Sequence, residues 1–190
     1  ILRLNGMKQV LVGITGASGS IYGVRLLQEL QKKEVSIYLI LSETAKEILT
    51  FETDETLERV YALADKVYEN DDLFAGPASG SFGIDAMVIV PCSMKTLAAI
   101  ANGYAELLIT RAASVMLKEN KSLLVVPRET PFDLAGLQNM LQVHQAGGKI
   151  LPASPGFYHK PDTISDLVDF IVGKILDQLS IPHELFKRWE

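Results

Sequence analysis

Four short segments of this 190-residue chain hold residue types at spacings that could do chemistry. The first, Thr15-Gly16-Ala17-Ser18-Gly19-Ser20, closes an apolar run and opens an amphipathic one. Such a turn offers unpaired backbone N–H groups and the positive end of a helix dipole, which together favour a phosphate. Gly13, Gly16 and Gly19 read G-x-x-G-x-x-G rather than the dinucleotide G-x-G-x-x-G, and no Gly-Lys-Ser/Thr follows as in a Walker A loop. A tight glycine turn with a helix cap is the purely structural alternative. The next apolar run ends at Ser42, where a dinucleotide site would place an acidic residue for the adenosine ribose, although Glu43 is adjacent. This shifts the reading from NAD toward a mononucleotide such as FMN.

The second segment, Val90-Pro91-Cys92-Ser93-Met94-Lys95-Thr96, sits at the kind of strand end where ligands of open α/β sheets gather. Ser93 and Thr96 carry hydroxyl donors, and N–H groups at the start of the following helix add to them. Cys92 is open to two readings. A nucleophilic thiolate needs an electropositive, partly exposed setting, for which one helix N-terminus is thin support, whereas a buried structural thiol needs none. The third segment, Val126-Pro127-Arg128-Glu129-Thr130-Pro131, presents opposite charges on a stiff backbone. Arg128 and Glu129 are either a solvated salt bridge or an anion-holding Arg beside a proton-transferring Glu. Arg111 and Lys118, seven residues apart, return nearly to one helical face. The fourth segment, Pro155-Gly156-Phe157-Tyr158-His159-Lys160-Pro161, reads as a packed corner, and its Tyr158 could meet Lys174 only through tertiary structure.

The elements that must position these residues show as alternating periodicities. Apolar, β-branched runs predict strands at residues 9–15, 36–41, 86–90, 123–127 and 149–151, each short enough to be buried on both faces. Helical patterns lie at residues 21–33, 55–64, 95–101, 106–119, 133–146 and 164–179. The pattern at 21–33 places Leu26, Leu27 and Leu30 on one face, and that at 106–119 gathers Leu107, Ala112, Val115 and Leu117. Parallel neighbours need crossover connections, so the alternation predicts an α/β fold, doubly wound and flavodoxin-like or Rossmann-like, with a mainly parallel sheet flanked by helices. Residues 67–85, with Asn70-Asp71-Asp72 and Gly76-Pro77-Ala78-Ser79-Gly80-Ser81, break the rhythm and read as a functional loop. Residues 1–190 read as one domain, with residues 1–6 as leader or appended sequence before Met7 and residues 181–190 as a tail packed on the domain or on a neighbour.

Composition narrows the function classes. With 48% hydrophobic and 22% charged residues the chain can bury a core, which excludes wholesale disorder. A net charge of −5 without a block of basic residues gives no footprint for duplex nucleic acid or an anionic membrane, so an anion must be held locally. One cysteine forms no internal disulfide, and His144, His159 and His183 lack metal-ligand spacing, so no metal and a reducing, cytoplasmic setting are expected. No apolar run approaches the ~18 residues of a membrane span.

Gly13-Ile14-Thr15-Gly16-Ala17-Ser18-Gly19 with Tyr22-Gly23, the Pro91–Thr96 and Pro127–Pro131 segments, and Pro155-Gly156-Phe157-Tyr158-His159 together resemble the UbiX-type flavin prenyltransferases. Arg111-Ala112-Ala113 and Lys118-Glu119 add to the match, which spans nearly the whole chain. The resemblance implies a flavodoxin-like fold, bound FMN, and metal-independent transfer of a dimethylallyl group from dimethylallyl monophosphate to N5 and C6 of reduced FMN. The product, prenylated FMN, is the cofactor of a UbiD-type decarboxylase. It further implies that Gly16, Ala17, Ser18, Ser42, Ser93, Met94, Lys95, Thr96 and Arg128 contact FMN. Lys118, Tyr158 and Lys174 are implied as the substrate-phosphate clamp, with Arg111 assisting, and Ser18, Glu52 and Glu129 as catalytic residues. A large homo-oligomer, a dodecamer, with sites between subunits is implied as well. This chain has Lys174 where some relatives have Arg, and Leu73-Phe74 where some place another aromatic. The Pro-x-Met-Asn-x-x-Met-Trp segment of the related cysteine decarboxylases is absent from the sequence. An FMN-dependent aromatic-acid or cysteine decarboxylase and a non-catalytic flavin-binding module are the other readings; the carboxylates Glu52 and Glu129 argue against the module.

Overall fold

A computed structural model describes residues 8–189; the expected leader at residues 1–6 lies outside the described residues. In chain order the elements are β1 (Lys8–Ile14), α1 (Ser20–Gln31), β2 (Val35–Leu41), α2 (Glu43–Glu52), α3 (Leu57–Tyr61), β3 (Lys66–Glu69), β4 (Ala86–Cys92), α4 (Met94–Ala101), α5 (Leu108–Lys118), β5 (Ser122–Pro127), α6 (Leu134–Gln145), β6 (Lys149–Ile150) and α7 (Ile164–Gln178). The six strands form one parallel sheet in the order β3-β2-β1-β4-β5-β6. The order reverses between β1 and β4, which makes the carboxyl ends of these two strands the switch point where an open α/β sheet has room for a ligand.

Side-chain alternation along each strand sorts the core into two layers. Val10, Val12 and Ile14 of β1, with Val88 and Val90 of β4, pack under α1, α2, α3 and α7. Leu11, Met87 and Ile89 face α4, α5 and α6. Leu26, Leu27 and Leu30 of α1 are fully buried as their spacing predicts, each contributing roughly 1.5–3 kcal/mol of hydrophobic stabilisation. Register then aligns the strand ends: Ile14 pairs with Leu41, and Gly13 with Ile89. The residues that follow, Thr15, Ser42 and Ser93, are thereby brought to one edge of the sheet.

Three elements depart from the sequence reading. Residues 43–52, read without an element, form α2, whose N-cap Ser42 accepts from the Ala45 N–H at 3.2 Å. Within the expected loop at 67–85, residues 66–69 pair with β2 as the edge strand β3, and two single 3₁₀ turns follow at Gly76–Ala78 and Gly80–Phe82. A four-residue edge strand is too short to show a period of its own; its pairing with β2 makes it a strand. Leu107 is the exposed N-cap of α5, so Leu108 and Ile109, rather than Leu107, point inward beside Ala112. An apolar Leu107 side chain cannot cap a helix. Asn70 does so from the loop: its carbonyl accepts from the Leu108 N–H at 2.7 Å and its side-chain Oδ1 from the Ile109 N–H at 3.0 Å.

The tail folds back on α7. Ile181 is buried, and Phe186 lies over Gly173, where an added Cβ would come within 2.5 Å of its ring. Tyr158 stacks edge-on against Phe170 and Trp189 at 5.7 and 5.4 Å between ring centroids, so the Pro-rich corner and the tail form one aromatic cluster on the α7 side.

Candidate active site

The switch point opens into a cleft of about 430 Å³, lined by Gly16, Ser42, Thr44, Asn70, Ser93, Lys95, Thr96 and Thr110 among others. Its size falls in the roughly 300–1,000 Å³ range of small-molecule sites. The buried Thr15 joins its walls: the Thr15 Oγ1 donates to the Pro91 carbonyl at 2.9 Å and accepts from the Ser93 N–H at 2.8 Å. The Ser42 N–H donates to the Ile14 carbonyl at 3.0 Å. Ser93 caps α4, accepting from the Thr96 N–H at 3.2 Å and lying 3.0 Å from the Thr96 hydroxyl. Lys95 is exposed at the cleft, and Met94 turns toward α6, where its Cε would lie 2.5 Å from a Cβ on Gly136.

Gly16 is required here for space. A Cβ at this position would come within 2.7 and 2.8 Å of the Thr44 side chain, so only glycine lets the β1–α1 turn close against the first turn of α2. Gly19 is required for conformation, with φ at +101°.

Beside the cleft, Ser18, Glu52 and Arg128 form a second constellation. The Glu52 carboxylate accepts from the Gly19 and Ser20 N–H groups at 2.8 and 3.2 Å and from the Ser18 side chain. The Gly19 donor that the sequence offered to a bound anion is therefore engaged by an anion from the chain itself, at the helix end where the dipole favours one. Desolvation pushes the Glu52 carboxyl up, but the Ser18 and backbone hydrogen bonds and the Arg128 charge outweigh it and hold the group below its usual range. Glu52 is thus ionised at neutral pH, an anion that orients the Ser18 side chain and the turn. Arg128 reaches back across the site, its Nε donating to the Ser18 carbonyl at 3.1 Å. Glu129 turns the other way, exposed and accepting from the Thr130 N–H at 3.0 Å, so neighbouring residues of opposite charge serve separate partners. Ala17, between these two constellations, is buried.

Cys92 is fully buried with its Sγ 3.4 Å from the Ser93 carbonyl, and burial pushes its thiol far above the ordinary thiol range. Both features fit the structural reading, in which the thiol is uncharged at neutral pH.

The remaining candidates lie elsewhere. Arg111 donates from Nε to the Ala78 carbonyl at 3.1 Å, and Lys118 lies 3.2 Å from Glu119, which packs on the Gly80 turn. Both belong to α5. Tyr158 and Lys174 belong to the α7 layer, where Lys174 lies 3.7 Å from Asp177. The sheet separates the two layers, so a single chain does not bring these four residues to one point. Thr44 is a site residue that no sequence signal picked out, and Thr15 and Asn70 were named only as members of the glycine turn and the loop; Asn70 in particular is a helix cap that exists only once the loop and α5 meet.

The family model for flavoproteins matches residues 2–176. A curated relative, the flavin prenyltransferase UbiX of Methanothermobacter thermautotrophicus, is 51% identical over 96% of each chain. Among solved structures, AnUbiX in complex with FMN and dimethylallyl pyrophosphate superposes with a TM-score of 0.96 at 43% identity, covering 97% of this chain and 98% of that one. A dodecameric FMN-dependent UbiX-like decarboxylase from Escherichia coli gives a TM-score of 0.94 at 43% identity, covering 96% and 99%. A peptidyl-cysteine decarboxylase, at 16% identity and a TM-score of 0.65, shares the fold alone.

Proposed function

This chain belongs to the flavin prenyltransferases of the flavoprotein family, and on that premise we propose how its own residues carry out dimethylallyl transfer to FMN. The observation that carries the reading is the convergence of Gly16, Ser42, Ser93, Lys95 and Thr96 on one cleft, with Ser18, Glu52 and Arg128 beside it. A glycine turn that admits no Cβ, hydroxyl donors at two strand ends and an exposed ammonium suit a phosphorylated, hydrogen-bonding mononucleotide. Gly16, Ala17, Ser18, Ser42, Ser93, Met94, Lys95, Thr96 and Arg128 would hold it. Reduced FMN supplies the nucleophilic ring atoms N5 and C6. Among the described residues no cluster of His, Cys, Asp or Glu could hold a metal ion.

The protein's part is to place groups and move protons. Cations about the prenyl phosphate stabilise the negative charge that grows on the leaving group as the allylic carbon–oxygen bond breaks. Lys118, Tyr158 and Lys174, assisted by Arg111, fill that role. Because α5 and α7 lie on opposite faces of the sheet, two copies of the chain must meet to bring all four to one phosphate. A homo-oligomer, dodecameric like the Escherichia coli neighbour, answers that need, and Leu134, Leu137 and Leu141 leave one face of α6 exposed and apolar for packing. Glu52 holds the Ser18 hydroxyl in place. Glu129, exposed and uncommitted to Arg128, passes the proton lost from the acceptor ring to the departing phosphate. The prenylated product serves a UbiD-type decarboxylase, and the setting is cytoplasmic; no helix among the described residues is long and apolar enough to cross a membrane.

The test is anaerobic incubation of the purified protein with FMN, a reductant and dimethylallyl monophosphate, followed by mass measurement of the flavin. The flavin should gain one dimethylallyl unit. Folded, flavin-loaded protein that leaves the flavin mass unchanged would overturn the reading.

A further inference from the structure

Asp177, in the last turn of α7, is the centre of a charge cluster of which the roles above use only Lys174. Its Oδ1 accepts from Arg188 NH2 at 2.8 Å and lies 3.1 Å from His183 Nε2. Its Oδ2 accepts from Arg188 NH1 at 3.2 Å and lies 3.7 Å from Lys174 Nζ. One carboxylate thus gathers an ammonium from its own helix and a guanidinium from the tail, which leaves a surplus of positive charge. The i,i+3 spacing puts Lys174 and Asp177 on one helix face. Arg188 arrives from eleven residues downstream, and its side chain is still 58% exposed. It also lines a small cavity of about 240 Å³ together with Tyr158, Lys187 and Trp189.

An anchor for the tail would need only one of these pairs, and Phe186 over Gly173 already supplies an apolar one. What the cluster adds is proximity. Lys174 and Arg188 share one carboxylate, and Arg188 shares one cavity wall with Tyr158. A lysine ammonium on a four-carbon stem is poorly placed by itself, whereas a guanidinium forked on a carboxylate is fixed and keeps further N–H donors for a second oxyanion.

We propose that Asp177 is the positioning residue of the prenyl-phosphate clamp, holding Lys174 and Arg188 side by side next to Tyr158 and so making Arg188 a phosphate-binding cation. The inference rests on the reading of Lys174 and Tyr158 as phosphate ligands. Before the phosphate arrives, Asp177 stands in for it as the counter-charge of both cations. When a prenyl monophosphate binds, its oxygens take donors from both, and no covalent bond forms or breaks in this exchange.

The test compares Arg188→Gln, Arg188→Lys, Asp177→Asn and Lys174→Ala with wild type at saturating FMN and varied dimethylallyl monophosphate, with inorganic phosphate as a competing inhibitor. Loss of a charged hydrogen bond predicts a KM for the prenyl phosphate raised about tenfold in Arg188→Gln, and inhibition by inorganic phosphate weakened to a similar degree. Asp177→Asn should move both in the same direction, kcat should change far less than KM, and FMN affinity should stay unchanged. Arg188→Lys should restore most of the loss. A role confined to anchoring the tail would lower the melting temperature and leave phosphate inhibition of the folded enzyme where it was. If Lys174→Ala raises KM while Arg188→Gln and Asp177→Asn do not, the clamp stands and this inference falls. If Lys174→Ala also leaves KM unchanged, both fall. Should Arg188→Gln fail to fold, Asp177→Asn, which keeps the shape of the side chain, decides by the same two readouts.

Discussion

The cleft at the strand ends and the groups assigned to the prenyl phosphate are built in opposite ways. The described walls of the cleft are preformed in one chain: parallel register carries Thr15, Ser42 and Ser93 to one edge, and short bonds among Thr15, Pro91 and Ser93 lock that edge. The proposed clamp residues are split between α5 and the α7 layer, on opposite sides of the sheet; Arg111, Lys118 and Lys174 are each held by a neighbour's charge or carbonyl, and Tyr158 by aromatic rings. A preformed half binds without reorganisation, whereas the proposed split half would gain its geometry only on assembly. FMN affinity should therefore belong to the single chain and prenyl transfer to the oligomer.

The largest effect expected is at Gly16. A valine there drives a branched side chain into Thr44, which already leaves 2.7 Å for a single Cβ, so Gly16→Val should abolish FMN binding, as measured by flavin fluorescence titration of protein shown to be folded. Normal affinity in that variant would break the assignment of the preformed half.

Glu129→Gln comes next. The amide keeps hydrogen-bonding capacity but not the proton transfer, so single-turnover prenylation should slow by about 10²–10⁴-fold with flavin affinity intact. A wild-type rate would remove Glu129 from the chemistry.

Lys174→Ala should cost about tenfold in use of dimethylallyl monophosphate and leave FMN affinity alone, and Lys174→Arg should keep much of the activity. The split itself can be tested by mixing. Lys118→Ala and Lys174→Ala subunits, each impaired alone, should regain activity when co-assembled, because some sites then receive wild-type Lys118 from one copy and wild-type Lys174 from another. No recovery in verified mixed oligomers would mean that the clamp does not cross a subunit boundary.

The smallest effect belongs to Cys92. Its thiol is buried and uncharged, so Cys92→Ala should retain most prenyl transfer and lose on the order of 1 kcal/mol of stability, read from denaturant unfolding. Inactivity with normal FMN binding would reinstate the thiol as a reactant.

Much of the preformed half was legible in advance. The apolar runs that become β1, β4 and β5 are consecutive residues, as are the glycine turn and the Ser93–Thr96 cap, and local periodicity or spacing is enough to place each one. Leu26, Leu27 and Leu30 declared their buried face for the same reason.

The rest depended on contacts that no window of sequence contains. Glu52 reaches the N-terminus of α1 across 33 residues, and Asn70 caps α5 across 39. Arg128 closes on the Ser18 carbonyl across 110 residues. β3 is a strand because β2 lies beside it, and Asp177 meets Arg188 because the tail turns back over Gly173. Sequence alone determined most of the alternating elements, α2 and β3 excepted, together with the doubly wound class and the identity of the chemical groups, since those follow from side-chain type and period along the chain. Tertiary structure alone decided which carboxylate meets which donor and which candidates face one another, because a hydrogen bond or ion pair forms only where the folded backbone holds its two ends about 3 Å apart.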